Sequence, residues 1–154
     1  MTESKGGPTG TLSDRELLAT RVLDAPRARV FRAWTDPNHL VRWWGPKGFT
    51  NRFEGFDPRP GGVWAFVMRG PDDVEFKNRS VFVEIVEPER IVFQHVSGPR
   101  FQATATFAEQ AGKTRLTFRM TFETAAECVK VKGFAVESNE QNLDRLEKEL
   151  ARMA

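Results

Sequence analysis

The sequence of 154 residues contains no tyrosine, one cysteine, two histidines and no long hydrophobic run. Because a disulfide needs two cysteines, Cys128 cannot form one within the chain, and we expect a reducing, cytoplasmic location. No apolar stretch has the length of a signal-peptide core or a membrane span, so we expect no membrane association. His39 and His95 lie far from Cys128 and from each other, and this spacing predicts no metal site and no other cofactor.

The charges show no excess of one sign, because 23 basic residues balance 21 acidic ones and leave a net charge of +2. The two signs are interspersed along the chain, so no extended basic surface is available for phosphate backbones, and we expect no nucleic-acid partner. A chain of this length that is 40% hydrophobic fits one domain, which we place at residues 14–154. Residues 1–13, rich in glycine and small polar residues, are predicted to be a flexible tail.

Phenylalanine and tryptophan are abundant, with 13 and four residues respectively. In the absence of tyrosine they supply apolar aromatic surface with few hydroxyl groups. Such a composition fits either a densely packed core or an apolar cavity.

The hydrophobic pattern predicts one strand, two short helices, six more strands and a long helix. The first strand covers residues 16–24 and ends before Pro26. Apolar residues at helical spacing then predict a helix that stops at Asp36-Pro37 and a second helix that ends at Trp43-Trp44. Six strand-length runs follow, separated by turns rich in glycine and proline: 49–56, 63–69, 76–87, 90–96, 101–107 and 114–122.

The last thirty residues form an amphipathic helix that must cover one side of this antiparallel sheet. Its predicted apolar stripe consists of Val136, Leu143, Leu146, Leu150 and Met153. Phe134 would lie opposite that stripe in a continuous helix, and Gly133 precedes it. We therefore predict a break or bend at Gly133, with a shorter helix over residues 125–132.

Between residues 16 and 153 several short motifs follow one another in a specific order: Asp24-Ala25-Pro26, Val30-Phe31-Arg32-Ala33-Trp34, Asp36-Pro37, Trp43-Trp44-Gly45-Pro46, Arg59-Pro60-Gly61-Gly62 with Trp64, and Val86-Glu87-Pro88-Glu89-Arg90-Ile91. This series resembles the branch of the SRPBCC superfamily, also called START-like or birch-allergen-like, that is named for activators of heat shock protein 90 ATPase.

The resemblance implies an α+β helix-grip fold. In that fold a curved antiparallel sheet of about seven strands wraps around a long C-terminal helix, and two short helices follow the first strand. A cavity remains between the sheet and the long helix. The superfamily includes lipid carriers, hormone receptors and cyclases, so the resemblance does not by itself fix the chemistry.

Side-chain alternation along the strands gives candidates for the lining of this cavity. We expect Trp44 to contact the cavity or its mouth and Trp43 to fix the helix pair to the sheet. Residues of these types fill cores as readily as they line cavities. The complete set of predicted ligand-binding residues is Trp43, Trp44, Phe49, Trp64, Phe66, Met68, Phe82, Phe93, His95, Phe118 and Asn139.

Polar residues among these positions carry more information, because a buried polar group without a partner is costly. Asn139 lies within the apolar stripe of the last helix and could bind a ligand or be a satisfied core amide. In the strand over 76–87 the pattern does not decide which alternate residues face inward. If Glu84 faces inward it is a buried carboxylate with a raised pKa, and otherwise it is an ordinary surface group. His95 ends a strand, where it could be structural or could lie at the mouth of the cavity.

Three functions follow from these observations. The leading hypothesis is that a small hydrophobic or amphipathic molecule binds between the sheet and the last helix. The alternative is a cyclase- or hydrolase-like enzyme that uses His95 or Glu84 to move a proton, so whether the protein is an enzyme is left open. The third is a protein interaction similar to that of a co-chaperone, and a homodimer is also left open.

Overall fold

The computed structural model describes residues 13–154, so the predicted N-terminal tail lies outside the described residues except for Ser13. The elements follow the predicted order. They are β1 (Glu16–Leu23), α1 (Arg27–Thr35), α2 (Pro37–Trp43), β2 (Thr50–Phe56), β3 (Val63–Arg69), β4 (Glu75–Val86), β5 (Arg90–His95), β6 (Phe101–Gln110), β7 (Lys113–Phe122) and α3 (Ala125–Met153).

The seven strands form one antiparallel sheet in the order β1-β7-β6-β5-β4-β3-β2. Strands β2 to β7 are therefore a meander, and β1 joins its far edge by pairing with β7. Alternate residues of each strand point to the same side, as in β7, where Leu116, Phe118, Met120 and Phe122 are all buried. This inner face, together with α3, confirms the α+β helix-grip fold.

Helix α3 begins at a side-chain cap, because Thr124 accepts a hydrogen bond from the backbone N–H of Glu127. It packs against β1, β7, α1 and α2, whose Cα atoms come within 8 Å of its own. Its Cα atoms do not come that close to β3, β4 or β5. On the inner face of the sheet, the helix therefore packs closely on β1 and β7 and leaves a gap over β3 to β5.

The predicted break at Gly133 is wrong, because α3 continues from Ala125 to Met153 without interruption. Val131 and Ala135, on either side of the glycine, are both buried, and this packing offsets the low helix propensity of glycine. Val136 was also wrongly placed in the apolar stripe, since it is 52% exposed. The buried stripe consists of Cys128, Val131, Ala135, Leu143, Leu146 and Leu150.

The turn before β3 requires glycine at position 62. A Cβ atom placed there would lie 2.0 Å from the carbonyl oxygen of Asp57, which is far inside van der Waals contact. The same turn pairs with β4, because the N–H of Gly61 donates to the carbonyl of Phe82 and the N–H of Phe82 donates to the carbonyl of Gly62. The register of β4 against β5 then shifts between Phe82 and Glu84, which is a β-bulge.

The two glycines give opposite predictions for substitution by alanine. Gly133→Ala should raise the free energy of unfolding by about 0.5–1 kcal/mol, because a Cβ there meets no atom within 4 Å and alanine is the better helix former. Gly62→Ala should lower it by about 1–3 kcal/mol through the clash with Asp57. Urea denaturation of both variants measures the two changes, and equal effects would contradict this account.

Candidate functional site: a cavity between the sheet and the C-terminal helix

A cavity of about 200 Å³ lies where α3 is separated from the sheet. Its sheet side is mostly aromatic, and α3 closes it with Val131, Ala135, Ser138 and Asn139. No lysine, arginine, aspartate or glutamate lines it. The phenylalanine, tryptophan and methionine residues that line it are Trp44, Trp64, Phe66, Met68, Phe93, Phe101, Met120 and Phe134.

The cavity opens into a wider cleft of about 950 Å³ at the surface. The two spaces share Met68, Asn78, Pro99, Phe134 and Ser138, which form the mouth between them. Phe134 is 60% exposed, and Phe76 at the rim is 49% exposed. Large apolar side chains are thus exposed to solvent around the entrance.

Arg145 of α3 fixes the segment that carries Trp44. Its guanidinium donates hydrogen bonds to the carbonyls of Trp44, Gly45 and Pro46, at 3.3, 2.9 and 2.9 Å, and to that of Arg42 at 3.0 Å. These carbonyls belong to the end of α2 and the loop after it, which have few intrahelical partners of their own. Burial lowers the pKa of Arg145. The guanidinium of Arg145, a residue of α3, therefore caps the C-terminal end of α2.

Three amide side chains complete this attachment. Asn142 accepts a hydrogen bond from the N–H of Gly45, and Gln141 accepts one from the N–H of Lys47, both at 3.1 Å. From β2, Asn51 donates to the carbonyl of Trp44 at 2.6 Å. The loop between α2 and β2 is thus held from both sides.

Trp43 and Trp44 have different surroundings, as expected for neighbours at the end of a helix. Trp43 is buried, and its Nε1–H donates to the carbonyl of Ala33 at 3.0 Å, which fastens α2 to α1. Trp44 is partly buried on the cavity wall, with its ring centroid 5.0 Å from that of Trp64 and 6.2 Å from that of Phe93. Trp44 therefore connects the helices to the aromatic wall.

The deepest polar residues of the cavity lie in one row across the sheet. Trp64 of β3 is paired in register with Ser80 of β4, and Ser80 is paired with His95 of β5. All three are buried and line the cavity. The hydroxyl of Ser80 and the indole Nε1–H of Trp64 have no hydrogen-bond partner among the described residues. Two polar atoms thus remain unpaired in an apolar setting.

His95 is better satisfied than its two neighbours in the row. Its Nδ1–H donates to the carbonyl of Pro99 at 2.7 Å, and its ring stacks on Phe101 at 4.8 Å. The hydroxyl of Ser97 lies 3.3 Å from Nε2 and can donate to the neutral ring, whereas Asn78 Oδ1, at 2.9 Å, can accept from the charged one. Burial lowers the pKa of His95 below its ordinary value, so the neutral form is favoured.

Glu84 does not face the cavity, which corrects the inward alternative considered from the sequence. Ser80 and Phe82 do face inward, but the bulge after Phe82 reverses the alternation, so that Ile85 packs on the core and Glu84 turns outward. There it binds Arg90 at 2.8 Å, and that hydrogen bond holds the pKa of Glu84 below its ordinary value. Of the two alternatives left open from the sequence, the outward one therefore holds, and the raised pKa that went with the inward one is wrong.

The remaining candidates are spread over several environments. Phe49 lines only the outer cleft, Phe82 is core, and Phe118 borders a separate gap of about 10 Å³. Asn139 reaches both the cavity and that gap, and its Nδ2 donates to the sulfur of Met120 at 3.5 Å.

Sequence reasoning missed Ser80 and Asn78 as site residues, together with Phe101, Phe134 and Ser138. Ser80 and Asn78 lie in the strand whose inward face the sequence pattern does not decide. The signal that could have selected their side of the strand is the apolar Phe82, which alternates with them.

Among residues 13–154 no group of three or more His, Cys, Asp or Glu side chains is placed to hold a metal ion. None of the helices described is long and apolar enough to cross a membrane.

The Arg145 attachment predicts a large stability effect. Arg145→Met should lower the free energy of unfolding by about 2–3 kcal/mol, because four carbonyls lose a charged donor. Lys148→Met, on the exposed side of the same helix, should change it by less than about 0.5 kcal/mol. Denaturant titration followed by tryptophan fluorescence compares the two, and similar losses would refute the special role of Arg145.

The buried histidine predicts a pH effect on stability. Because the folded state resists protonating His95 while the unfolded chain does not, the unfolded state binds more protons, and stability falls as the pH drops through the ordinary value of 6.5. His95→Gln should therefore lose stability less steeply than the wild-type protein between pH 8 and pH 5.5. Thermal denaturation across that range measures the slope. An unchanged slope in the variant would show that His95 is not its source.

Comparison with known proteins agrees with the architecture. A protein-family model described as Activator of Hsp90 ATPase homolog 1-like protein matches residues 24–151. No protein of curated function matches the chain.

Several solved structures share the fold. One is a protein of Nitrosomonas europaea, 22% identical, with a TM-score of 0.86 over 95% of this chain and 100% of that one. A second, from Mycobacterium smegmatis, is 24% identical, with a TM-score of 0.83 over 92% and 94%. A third, from Silicibacter pomeroyi and named for the same family, is 19% identical, with a TM-score of 0.74 over 90% and 99%. By its match to the family model, the chain belongs to the Activator of Hsp90 ATPase homolog 1-like family, within the SRPBCC superfamily.

Proposed function

We propose that the protein binds a small, largely apolar molecule in the cavity between α3 and strands β3 to β5. The observation that carries this proposal is an aromatic-walled space of about 200 Å³ that continues into an open surface cleft. Protein interiors are normally packed without voids larger than a water molecule, so a space of this size with an entrance is a candidate binding site.

The volume limits what the inner cavity can hold. An apolar cavity of about 150 Å³ accommodates benzene. A space of about 200 Å³ therefore suits a compound with one or two rings. A longer molecule would extend through the mouth into the outer cleft.

The positions of the charged side chains limit where a charged group of the ligand could lie. The inner wall carries no charged residue apart from a histidine whose pKa is lowered, so a charged group would lose its hydration there without compensation. Lys47, Lys77, Glu75 and Glu137 line the outer cleft instead. An amphipathic ligand would place its apolar part inside and any charged group outside.

A catalytic role has weaker support. Of the two groups considered for proton transfer, Glu84 lies outside the cavity and binds Arg90. Both ring nitrogens of His95 already have protein partners. The geometry therefore favours binding.

Filling the cavity should weaken binding without unfolding the protein. Wild-type protein should raise the fluorescence of N-phenylnaphthylamine, an uncharged probe of three rings that emits strongly in apolar surroundings and would extend from the cavity into its mouth. Ala135 is buried on the cavity wall, so Ala135→Leu should weaken probe binding by at least about tenfold, a change of about 1.4 kcal/mol. The thermal midpoint should stay equal or rise, because the added methyl groups fill empty space.

The matched control is Val136→Leu, which adds bulk to the neighbouring exposed position of the same helix. It should leave probe binding unchanged. Equal binding by wild-type protein and both variants would place the probe elsewhere and contradict the proposal. Absence of binding to the wild-type protein would also contradict it.

A further inference from the structure

We infer that the ligand carries an uncharged carbonyl group whose oxygen accepts hydrogen bonds from the Ser80 hydroxyl and the Trp64 indole N–H. This inference rests on the proposed function and specifies the chemistry of the same cavity. Its basis is the pair of buried polar atoms that the protein itself leaves without partners.

Two buried polar atoms without a hydrogen-bond partner in the described part of the chain belong to residues that line this cavity. Among the described residues, five buried side-chain atoms have no hydrogen-bond partner, and two of the five belong to Ser80 and Trp64 on the cavity wall. Trp34, which also has an unpartnered Nε1, borders only the gap of about 10 Å³, which is too small for a ligand. Buried polar groups are paired in most folded proteins, so an unpaired couple beside a ligand-sized space points to a partner supplied by the ligand.

The register brings the two donors together. Trp64 and Ser80 are direct cross-strand partners on the inner face of β3 and β4. The Cβ atoms of such partners lie about 4.5–5.5 Å apart. A carbonyl oxygen has two lone pairs and can accept from both donors at once. The register therefore places the two donor-bearing residues next to each other on the wall of the cavity.

The groups that line the cavity exclude a ligand that carries a charge or that offers only hydrogen-bond donors. An indole N–H is a donor only, so its partner must be an acceptor. His95 Nδ1–H is committed to the carbonyl of Pro99, and Nε2 is within reach of Ser97 and Asn78. No lysine or arginine lines the inner cavity to balance a carboxylate. An uncharged acceptor fits all of these conditions.

A pair of compounds of similar size tests the inference. Acetophenone and isopropylbenzene share their heavy-atom skeleton, but the carbonyl oxygen of the first is a methyl group in the second. Each is titrated against wild-type protein carrying N-phenylnaphthylamine, and displacement of the fluorescent probe is measured. The affinity for acetophenone relative to that for isopropylbenzene should be about five- to tenfold higher in the wild-type protein than in variants that lack a donor, as expected for hydrogen bonds made to otherwise unpaired donors.

Ser80→Ala should remove much of this preference and leave the affinity for isopropylbenzene unchanged. The same variant should be as stable as the wild-type protein or more so, because it removes a buried hydroxyl that has no partner. A purely structural serine would instead lower stability when replaced. Trp64→Phe provides a second removal of a donor, and Thr104→Ala, on the outer side of β6, is the control that should change neither binding nor selectivity.

The possible outcomes separate the two proposals. Loss of the ketone preference in Ser80→Ala supports the inference. An affinity ratio that is the same in wild-type protein, Ser80→Ala and Trp64→Phe overturns it and leaves the cavity-binding function standing. Failure of both compounds and of the fluorescent probe to bind overturns the proposed function as well.

Discussion

The hydrogen bonds from the Arg145 guanidinium to four backbone carbonyls are the interaction on which the site depends. They hold the end of α2 and the following loop against α3, and so they place Trp44 on the cavity wall. The hydrogen bond between buried Glu149 and half-buried His39, at 2.7 Å, fastens α2 to the same half of the long helix. The partly buried charge of Arg145 meets several acceptors, and these offset its loss of hydration.

The cavity follows from how unevenly α3 is fastened. In its C-terminal half, Arg145 and Glu149 bind the α2 region, and Arg21 of β1 binds Glu140 and Asp144. Its N-terminal half spans β3 to β5 without close backbone contact. The polar row across those strands leaves two donors unsatisfied, which is unfavourable for stability and is consistent with selection for ligand binding.

Local sequence patterns predicted most of the architecture because each element carries its own period and its own stop signals. Asp36-Pro37 separates α1 from α2, and glycine- and proline-rich turns separate the strands. The same local reasoning was wrong at Gly133, where packing of Val131 and Ala135 outweighs an unfavourable propensity. It could not choose the inward face of β4, because a bulge reverses the alternation within that strand.

The sequence by itself determined the order of the elements, the family and the aromatic character of the interior, since these depend on residue type and local spacing. Only the tertiary structure decided which of those residues meet. Trp64, Ser80 and His95 form one row because of strand register, and register is set by pairing between segments distant in the chain. Glu84 turns outward because the register shifts after Phe82, whereas Ser80 precedes that shift and lines the cavity.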